Sequence, residues 1–410
     1  MPGPTVLDRF LKYVTYDTQS AHDAKETPST KGQLVFARAL AEELREVGLS
    51  DVSHNDHAYV TATLPSNLKG KSAPTVALIA HLDTSVEVSG ANVKPRILRY
   101  EGGDIVLNAE KNIVTSPDII TELNLWMGTD IVVTDGNTLL GADDKSGIAA
   151  IVGAADWYAR NPGVPHGTVK LVFTPDEEVG HLAALLDLDK LGADFAYTVD
   201  GSELGTLSWE TFNAARALIT VKGISAHPGK AKGKMKSAIL MLNEFLSMLP
   251  PNETPSTSEG REGYYHLFSA EGDVEDATAT VTVRDFDMAK FNERKGLISG
   301  LVDKMNAKYG NSVFKADIKD SYYNMGEKLK DKMQIVEYAR RAMKEAGVTP
   351  NEYAARGGTD GSALTWRGLP TPNIFTGGYI SHSRHEFLST VALEKSCDTI
   401  KALIRIIAES

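Results

Sequence analysis

Cysteine is nearly absent from this sequence, since Cys397 is the single one among 410 residues. An internal disulfide framework is therefore excluded, and a reducing compartment is favoured. Cys397 lies in a pattern typical of an amphipathic helix, so we interpret it as a small packed residue rather than as a reactive thiol.

Excess positive charge and long apolar runs are also absent. The chain has 43 Lys and Arg against 54 Asp and Glu, a formal net charge of -11, which offers no electrostatic footprint for nucleic acid or anionic lipid. No apolar run reaches the roughly 18 residues that a membrane span needs. Charged Asp8, Arg9 and Lys12 interrupt any apolar segment near the N-terminus, so no secretory signal is expected. These features predict a cytoplasmic protein with no nucleic-acid and no membrane partner.

Apolar runs of strand length alternate with helical patterns in the first half of the chain. The hydrophobic fraction of 42% is ample for a core, and the length suggests two domains. The predicted strands are 75–80, 131–133, 169–173 and 195–199, and the predicted helices are 32–48 and 146–160. This alternation predicts an α/β fold in which a mixed central sheet is flanked by helices on both faces.

The pattern changes near residue 212. Later segments alternate apolar and polar residues, as half-solvated antiparallel strands do, and helical patterns lie among them. These segments are the strand-like 214–222 and 277–286 and the helical 235–249 and 288–308. We predict a smaller α+β domain at 212–324, inserted into a first domain made of 1–211 and 325–410.

Five short segments each present a side chain of the kind that binds divalent metals: His81, Asp143, Glu178, Asp200 and His382. Three of them closely follow a predicted strand, and sheets of this class bind ligands beyond the carboxyl ends of their strands. Two imidazoles and three carboxylates suit a pair of divalent ions, and we assign Asp143 as the carboxylate that bridges them. Each residue alone would be interpreted as a helix cap, a strand-end histidine or an acidic turn. The whole set predicts a metallohydrolase.

Two further carboxylates stand beside predicted ligands. Asp83 is two residues from His81 and could accept the second ring N–H, which fixes the tautomer of a metal-bound imidazole. A carboxylate that is not a ligand can take a proton from attacking water and deliver it to the leaving amine. Because neighbouring side chains point in different directions, we assign Glu177 as this base and Glu178 as the ligand, with the reverse assignment as the alternative.

The segment SHSRHEF offers three polar side chains, His382, His385 and Glu386. One imidazole is enough for the second metal, and we assign His382, with His385 as the alternative. The four-residue step from His382 to Glu386 could place a ligand and the acceptor for its ring together.

The chain closely resembles the M20 metallopeptidase family, in its tripeptide aminopeptidase branch, through the motifs HLDTS, TDGNTLLGADDKSG, FTPDEEVG, YTVDG, AHPG, RDFD, SYYNM, RGGTDG and FTGGYISHSRHEF. The resemblance extends from about Leu7 to the last predicted helix. The motifs are long enough to separate this branch from the carboxypeptidases and deacylases of the same family.

The resemblance implies a role for each predicted site residue. The ligands would hold two zinc ions, with His81 and Asp200 on one, Glu178 and His382 on the other, and Asp143 bridging them. Asp83 would orient His81, Glu177 would be the catalytic acid and base, and a hydroxide between the metals would be the nucleophile. The peptide bond between Asp143 and Asp144 would be cis.

The resemblance also implies how substrate is held. The insertion would be a lid or dimerisation domain, so a homodimer is possible. His227 in AHPG, on its chemistry alone a loop residue, would polarise the scissile carbonyl from its own chain or from a partner chain. Arg284 in RDFD and Arg356 in RGGTDG are candidate substrate clamps, since a planar guanidinium suits a carboxylate. The alternative for Arg356 is a surface turn with an ion pair to Asp360.

We therefore expect a two-zinc aminopeptidase that removes the N-terminal residue from tripeptides. Cobalt or manganese could substitute, because nitrogen-and-carboxylate sites suit all three metals. One alternative is an M20-type dipeptidase, carboxypeptidase or N-acyl amino acid deacylase. The alternative from another class is a non-catalytic metal-binding protein, against which the presence of Glu177 argues.

Overall fold

The structure, a computed structural model, describes residues 3–22, 24–201 and 203–410. The chain divides into two units. The first consists of Met1–Trp209, Lys328–Tyr353 and Thr359–Ser410, and the second of Glu210–Glu327 and Ala354–Gly358. The predicted domain boundaries, and the catalytic and lid roles attached to them, stay a prediction.

The secondary structure elements are numbered in chain order. The helices are α1 (Val6–Tyr13), α2 (Lys31–Val47), α3 (Ala142–Arg160), α4 (Leu188–Leu191), α5 (Ala238–Ser247), α6 (Met288–Tyr309), α7 (Gly326–Leu329), α8 (Met333–Glu345), α9 (Asp360–Trp366) and α10 (Thr390–Ala408). The strands are β1 (Ser50–His54), β2 (Val60–Leu64), β3 (Val76–His81), β4 (Arg96–Tyr100), β5 (Ile105–Asn108), β6 (Ile113–Thr115), β7 (Thr129–Val133), β8 (Val169–Thr174), β9 (Phe195–Val199), β10 (Thr206–Thr211), β11 (Asn213–Lys222), β12 (Tyr264–Gly272), β13 (Asp276–Asp285), β14 (Phe314–Tyr322), β15 (Asn351–Ala355), β16 (Asn373–Ile374), β17 (Gly378–Tyr379) and β18 (Phe387–Ser389). Within the described ranges, no helix is both long and apolar enough to cross a membrane.

An eight-stranded sheet with the order β1-β2-β8-β3-β9-β16-β10-β15 organises the first unit. β3 is parallel to both β8 and β9, whereas β2 is antiparallel to β8 and β10 is antiparallel to β16. Every residue of β3 is buried, as expected for a strand covered on both faces. Ala77 and Ile79 pack in one cluster with Leu191 of α4 and Leu364 of α9, and α3 also contacts the strand. The predicted α/β fold with a mixed central sheet and flanking helices is confirmed.

One predicted strand belongs to a different sheet from the one expected. The run at 131–133 lies in β7, which pairs with β4 and β18 in a separate four-stranded sheet of order β17-β18-β7-β4. Its placement in the central sheet was wrong, because a local apolar run indicates burial but does not specify which distant strand becomes the partner.

The second unit contains a four-stranded antiparallel sheet of order β12-β13-β11-β14. β11 alternates buried and exposed residues along much of its length, as the sequence pattern predicts. Its buried face, including Ile219, packs in one core with Leu242 and Phe245 of α5 and Phe291 of α6. β12 was not predicted, because all of its residues after Tyr265 are exposed and the alternation is lost.

A buried ion network joins the first three helices. Arg9 of α1 is 3% exposed, and its guanidinium donates to Glu43 of α2 at 2.9 Å and to Asp156 of α3 at 2.8 Å. Lys12 reaches the second oxygen of Glu43 at 2.7 Å, and Arg160 reaches Asp156 at 2.7 Å. The burial of these charges depends on their mutual pairing.

Arg9→Met is expected to lower the free energy of unfolding by about 3 kcal/mol, since it leaves two buried carboxylates without their shared partner. The figure is at the lower end of the range for breaking a buried pair, because Lys12 and Arg160 still contact Glu43 and Asp156. Urea unfolding followed by circular dichroism measures the loss.

Arg45 of α2 supplies the matched control. Its ion pair with Glu42 is exposed, with 43% and 70% of the two side chains accessible. Arg45→Met should change the unfolding free energy by less than about 1 kcal/mol. Similar losses in both variants would contradict the argument that burial makes the Arg9 network important.

Candidate metal centre

Three parallel neighbours in the central sheet deliver polar residues to the same edge. β3 ends at His81, β8 ends at Thr174 shortly before Glu177 and Glu178, and β9 ends at Val199 directly before Asp200. Because β8, β3 and β9 are adjacent and parallel, their carboxyl ends lie side by side. This is the edge at which open α/β sheets bind ligands.

Asp143 lies between the two imidazoles. Its Oδ1 is 3.0 Å from Nε2 of His81, and its Oδ2 is 3.8 Å from Nε2 of His382. Nε2 of His81 is also 3.5 Å from Oδ1 of Asp200, and Nε2 of His382 is 2.8 Å from Oε2 of Glu178. The structure thus brings all five sequence-predicted ligands together, with one oxygen of Asp143 toward each imidazole.

The loop that carries Asp143 is held by Glu386. Asp143 has non-helical backbone angles of φ -87° and ψ 105° at the start of α3, and it is joined to Asp144 by a cis peptide bond. The buried carboxylate of Glu386 accepts hydrogen bonds from the backbone N–H groups of Leu140, Gly141 and Asp143 at 2.7, 2.7 and 3.1 Å. Burial raises the pKa of Glu386 to about 7. Glu386 thus supports the backbone around Asp143, whereas the ring nitrogens of His382 face Glu178 and Glu87.

His382 has other neighbours than the sequence suggests. Its backbone has a φ of +63°, and its Nδ1 is 3.5 Å from Oε2 of Glu87. The sequence analysis did not identify Glu87, because no spacing or motif in its segment links it to a histidine 295 residues further along the chain. His385, the alternative ligand, instead places Nδ1 2.9 Å from Oγ1 of Thr115.

Asp83 contacts both His81 and the loop that carries the predicted base. Nδ1 of His81 is 3.0 Å from the main-chain oxygen of Asp83 and 3.4 Å from its Oδ1. The carboxylate of Asp83 also accepts hydrogen bonds from the backbone N–H groups of Glu177 at 3.0 Å and Glu178 at 3.1 Å. Asp83 therefore connects the end of β3 to the loop after β8.

Asp144, the neighbour of Asp143, also lies close to potential metal ligands. Ligand atoms of His81, Asp144 and Asp200 lie within 4.8 Å of one another, as do those of His81, Asp143 and Glu178. Asp144, however, is fully buried and accepts the backbone N–H of His81 at 3.1 Å. Asp144 uses only Oδ2 in this contact, and its buried Oδ1 has no hydrogen-bond partner. Asp143 differs from it in directing one oxygen toward each of the two histidines, as a carboxylate shared by two ions would.

The charges of the cluster fit cations. Burial raises the pKa of Glu178 to about 8 and also raises the pKa values of Glu177 and Asp200. Burial opposes protonation of His382, but its hydrogen bond with Glu178 raises its pKa to about 9. Oε1 of Glu178 is buried without a hydrogen-bond partner. A donor set with more carboxylates than imidazoles, and with an orphaned buried oxygen, is suited to divalent metal ions.

The three predicted substrate residues lie in the second unit. His227 is exposed, and its Nδ1 accepts the backbone N–H of Gly229 at 3.1 Å. Arg284 donates to the main-chain oxygen of Arg356 at 2.9 Å. The guanidinium of Arg356 donates to the side-chain Oγ of Ser258 at 2.7 Å and to the main-chain oxygen of Gly260 at 2.9 Å.

The alternative for Arg356, an ion pair with Asp360, stays a prediction, since the two residues lie in different units. Oδ2 of Asp360 accepts the hydroxyl of Thr174 at 2.5 Å, and its Oδ1 is buried without a hydrogen-bond partner. The guanidinium of Arg356 lies over the rings of Phe212 and Tyr264, with centroids at 5.2 and 5.4 Å.

The chain is similar to known proteins along nearly its whole length. The chain is 52% identical over 404 residues to Peptidase T of Halothermothrix orenii, covering 98% of this chain and 99% of that protein. It is 49% identical over the same length, with the same shares covered, to Peptidase T of Parabacteroides distasonis. Its fold is similar to that of aminopeptidase PepT from Bacillus cereus, with a TM-score of 0.76, 22% identity and 98% of each chain covered.

A second solved structure has the same fold. A tripeptidase from Staphylococcus aureus matches with a TM-score of 0.77 and 22% identity, covering 99% of this chain and 98% of the other. The model of Peptidase family M20/M25/M40 matches residues 126–406, which is more than half of the sequence. The chain belongs to Peptidase family M20/M25/M40.

Proposed function

We propose that this chain, a metallo-aminopeptidase of its family, holds two zinc ions and removes the N-terminal residue from tripeptides. The observation that carries the proposal is Asp143, whose two oxygens face His81 and His382 respectively. The relatives named Peptidase T, 48–52% identical over nearly their whole length, support the aminopeptidase reaction.

The residues that would hold the metals are those of the clustered donor set. His81 and Asp200 would hold one ion, Glu178 and His382 the other, and Asp143 would contact both. When bound, the two ions would polarise the scissile carbonyl and lower the pKa of a water molecule. Zinc suits nitrogen and carboxylate ligands, and cobalt or manganese would fit the same donors.

Glu177 would be the general acid and base. Its backbone N–H is held by Asp83, and desolvation raises the pKa of the carboxyl of this half-buried residue, so the group can hold a proton. It would take a proton from the attacking water and then deliver that proton to the departing amine. Asp83 would fix the ring of His81 and the backbone of Glu177 together.

The second unit would recognise the substrate. His227 would polarise the scissile carbonyl, and Arg284 and Arg356 would bind a peptide carboxylate through their guanidinium groups. The domain would extend over 212–324 and act as a lid or as a dimerisation surface.

Product analysis of Ala-Ala-Ala against N-acetyl-Ala-Ala-Ala tests the proposal, with zinc-loaded and chelator-stripped protein. Free Ala and Ala-Ala should appear only from the unblocked peptide and only with metal, and an isotopic label in the first residue identifies the end that is cut. Equal cleavage of the blocked peptide would assign the chain to carboxypeptidases or deacylases. No cleavage of either peptide by metal-loaded protein would favour a non-catalytic metal-binding protein.

A further inference from the structure

The residue directly before the predicted base and ligand has an unusual backbone conformation. Asp176 is fully buried and has a φ of +57°, in the left-handed region that few non-glycine residues adopt. Asp tolerates this region better than most residues because its short side chain makes local hydrogen bonds. The turn at Asp176 redirects the chain after β8 and determines where Glu177 and Glu178 start.

The side chain of Asp176 is bound by the segment that leads into α2. Its Oδ1 accepts from the Ser29 hydroxyl at 2.5 Å and from Nε2 of Gln33 at 2.7 Å. Its Oδ2 accepts from the backbone N–H of Ser29 at 2.8 Å. In return, the backbone N–H of Asp176 donates to Oε1 of Gln33 at 3.2 Å. We call Ser29, Gln33 and Asp176 the Asp176 clasp.

Gln33 makes the clasp reciprocal. It lies in the first turn of α2 and is fully buried, and it both donates to the Asp176 side chain and accepts from the Asp176 backbone. Buried side-chain amides that satisfy both of their functions in one partner hold that partner in a single orientation.

Three consecutive backbone N–H groups of this loop are therefore bound by side chains from elsewhere. That of Asp176 donates to Gln33, and those of Glu177 and Glu178 donate to the two carboxylate oxygens of Asp83. Gln33 comes from α2 and Asp83 from the end of β3, so the loop is held by two separate elements. Such support matters for function because a displacement of about 1 Å at a reacting group can cost about 100-fold in rate.

We propose that the Asp176 clasp is a positioning device, which sets the base Glu177 and the ligand Glu178 relative to the rest of the centre. The proposal rests on the proposed function. Neither Ser29 nor Gln33 is among the predicted ligands or substrate residues, so their effect is exerted through the loop backbone.

Gln33→Leu tests the proposal, because it removes both amide hydrogen bonds while keeping a buried side chain of similar size. We expect kcat on Ala-Ala-Ala to fall about 10–100-fold with KM changed less than threefold, the range seen when support around metal ligands is lost. Zinc affinity, measured by chelator competition without substrate, should fall about tenfold through Glu178. If Gln33→Leu does not fold, Ser29→Ala removes only the hydroxyl contact and should give a smaller loss in the same direction.

Asn67→Leu is the matched control. Asn67 also anchors a loop through its amide, donating to the main-chain oxygen of Val164 at 2.7 Å and accepting from the backbone N–H of His166 at 2.8 Å. These contacts precede the start of β8 at Val169, whereas the clasp follows its end at Thr174. The control should lower the thermal midpoint while leaving kcat and zinc affinity within twofold of wild type.

A swapped pair separates hydrogen bonding from general loss of stability. In the double variant Asp176→Asn with Gln33→Glu, the asparagine amide can donate to the new carboxylate, which still accepts the backbone N–H of residue 176. We expect the double variant to recover at least tenfold of the kcat lost by Asp176→Asn alone.

Two outcomes would contradict the positioning role of the Asp176 clasp. One is a Gln33→Leu protein that melts earlier yet keeps kcat and zinc affinity within twofold of wild type, and the other is a swap without recovery. Failure of the proposed function would look different, since wild-type protein would then bind zinc without cleaving the tripeptide. The zinc affinities of the variants would still decide whether the clasp positions Glu178.

Discussion

Glu177→Gln is expected to lower kcat on Ala-Ala-Ala by about 10²–10⁴-fold, the contribution that a positioned general base makes. The amide keeps the shape of the side chain and leaves the backbone hydrogen bond to Asp83 intact. It cannot take a proton from the attacking water. Steady-state kinetics with zinc-loaded protein, beside metal analysis by atomic absorption, provides the measurement.

The neighbouring variant Glu178→Gln is the control for this assignment. It should lower the zinc content as well as kcat, because Oε2 of Glu178 lies 2.8 Å from His382 within the donor set. Glu177→Gln should keep both zinc ions. If Glu177→Gln lost metal while Glu178→Gln kept it, the roles of the two residues would be reversed. A Glu177→Gln protein with normal zinc and wild-type kcat would refute the assignment of the base.

Asp143→Ala is expected to abolish tight binding of both zinc ions and to lower kcat by at least about 10³-fold. The reason is that the same carboxylate faces both imidazoles. Its loss would remove one ligand from each ion and one negative charge that offsets the repulsion between the two ions. A loss of several kcal/mol of transition-state stabilisation corresponds to this factor. Zinc per chain after gel filtration, together with kcat, measures the result.

Asp130→Ala is the matched control for that variant. Asp130 lies in β7 of the same unit, but its side chain is 48% exposed and its ion pair is with Arg99. The control should retain two zinc ions and wild-type kcat. Asp143→Ala protein that still held two ions at wild-type affinity would contradict the bridging role and direct attention to Asp144, the other carboxylate near His81.

The carboxyl groups of this centre have strongly shifted pKa values, which bears on the large losses of kcat expected for Glu177→Gln and Asp143→Ala. The hydrogen bond from His81 lowers the pKa of Asp143 to about 2 against the opposing effect of burial, whereas burial raises the pKa of Glu178 to about 8. Two carboxyl groups in one cluster thus hold protons very differently. A metal ion bound by these carboxylates would displace their protons. Activity should therefore depend on where each carboxylate lies relative to the others.

Much of the centre could be predicted from sequence because strand ends are local features. His81 and Asp200 follow buried apolar runs directly, and parallel neighbouring strands place such residues at one edge of a sheet. The motif around Glu177 and Glu178 is likewise contiguous. For these residues, chemical type and position after a strand were enough to predict that they meet.

Other features were decided only by the tertiary structure, because they depend on contacts between segments far apart in the chain. The sequence placed Glu386 beside His382, but the folded chain brings three backbone donors around Asp143 to its carboxylate. The partners of β7 and the contact of Glu87 with His382 come from distant strands and loops. The sequence by itself determined which chemistry this protein carries; the tertiary structure decided which side chains support it, since a spacing along the chain records local geometry and not the partner supplied by another segment.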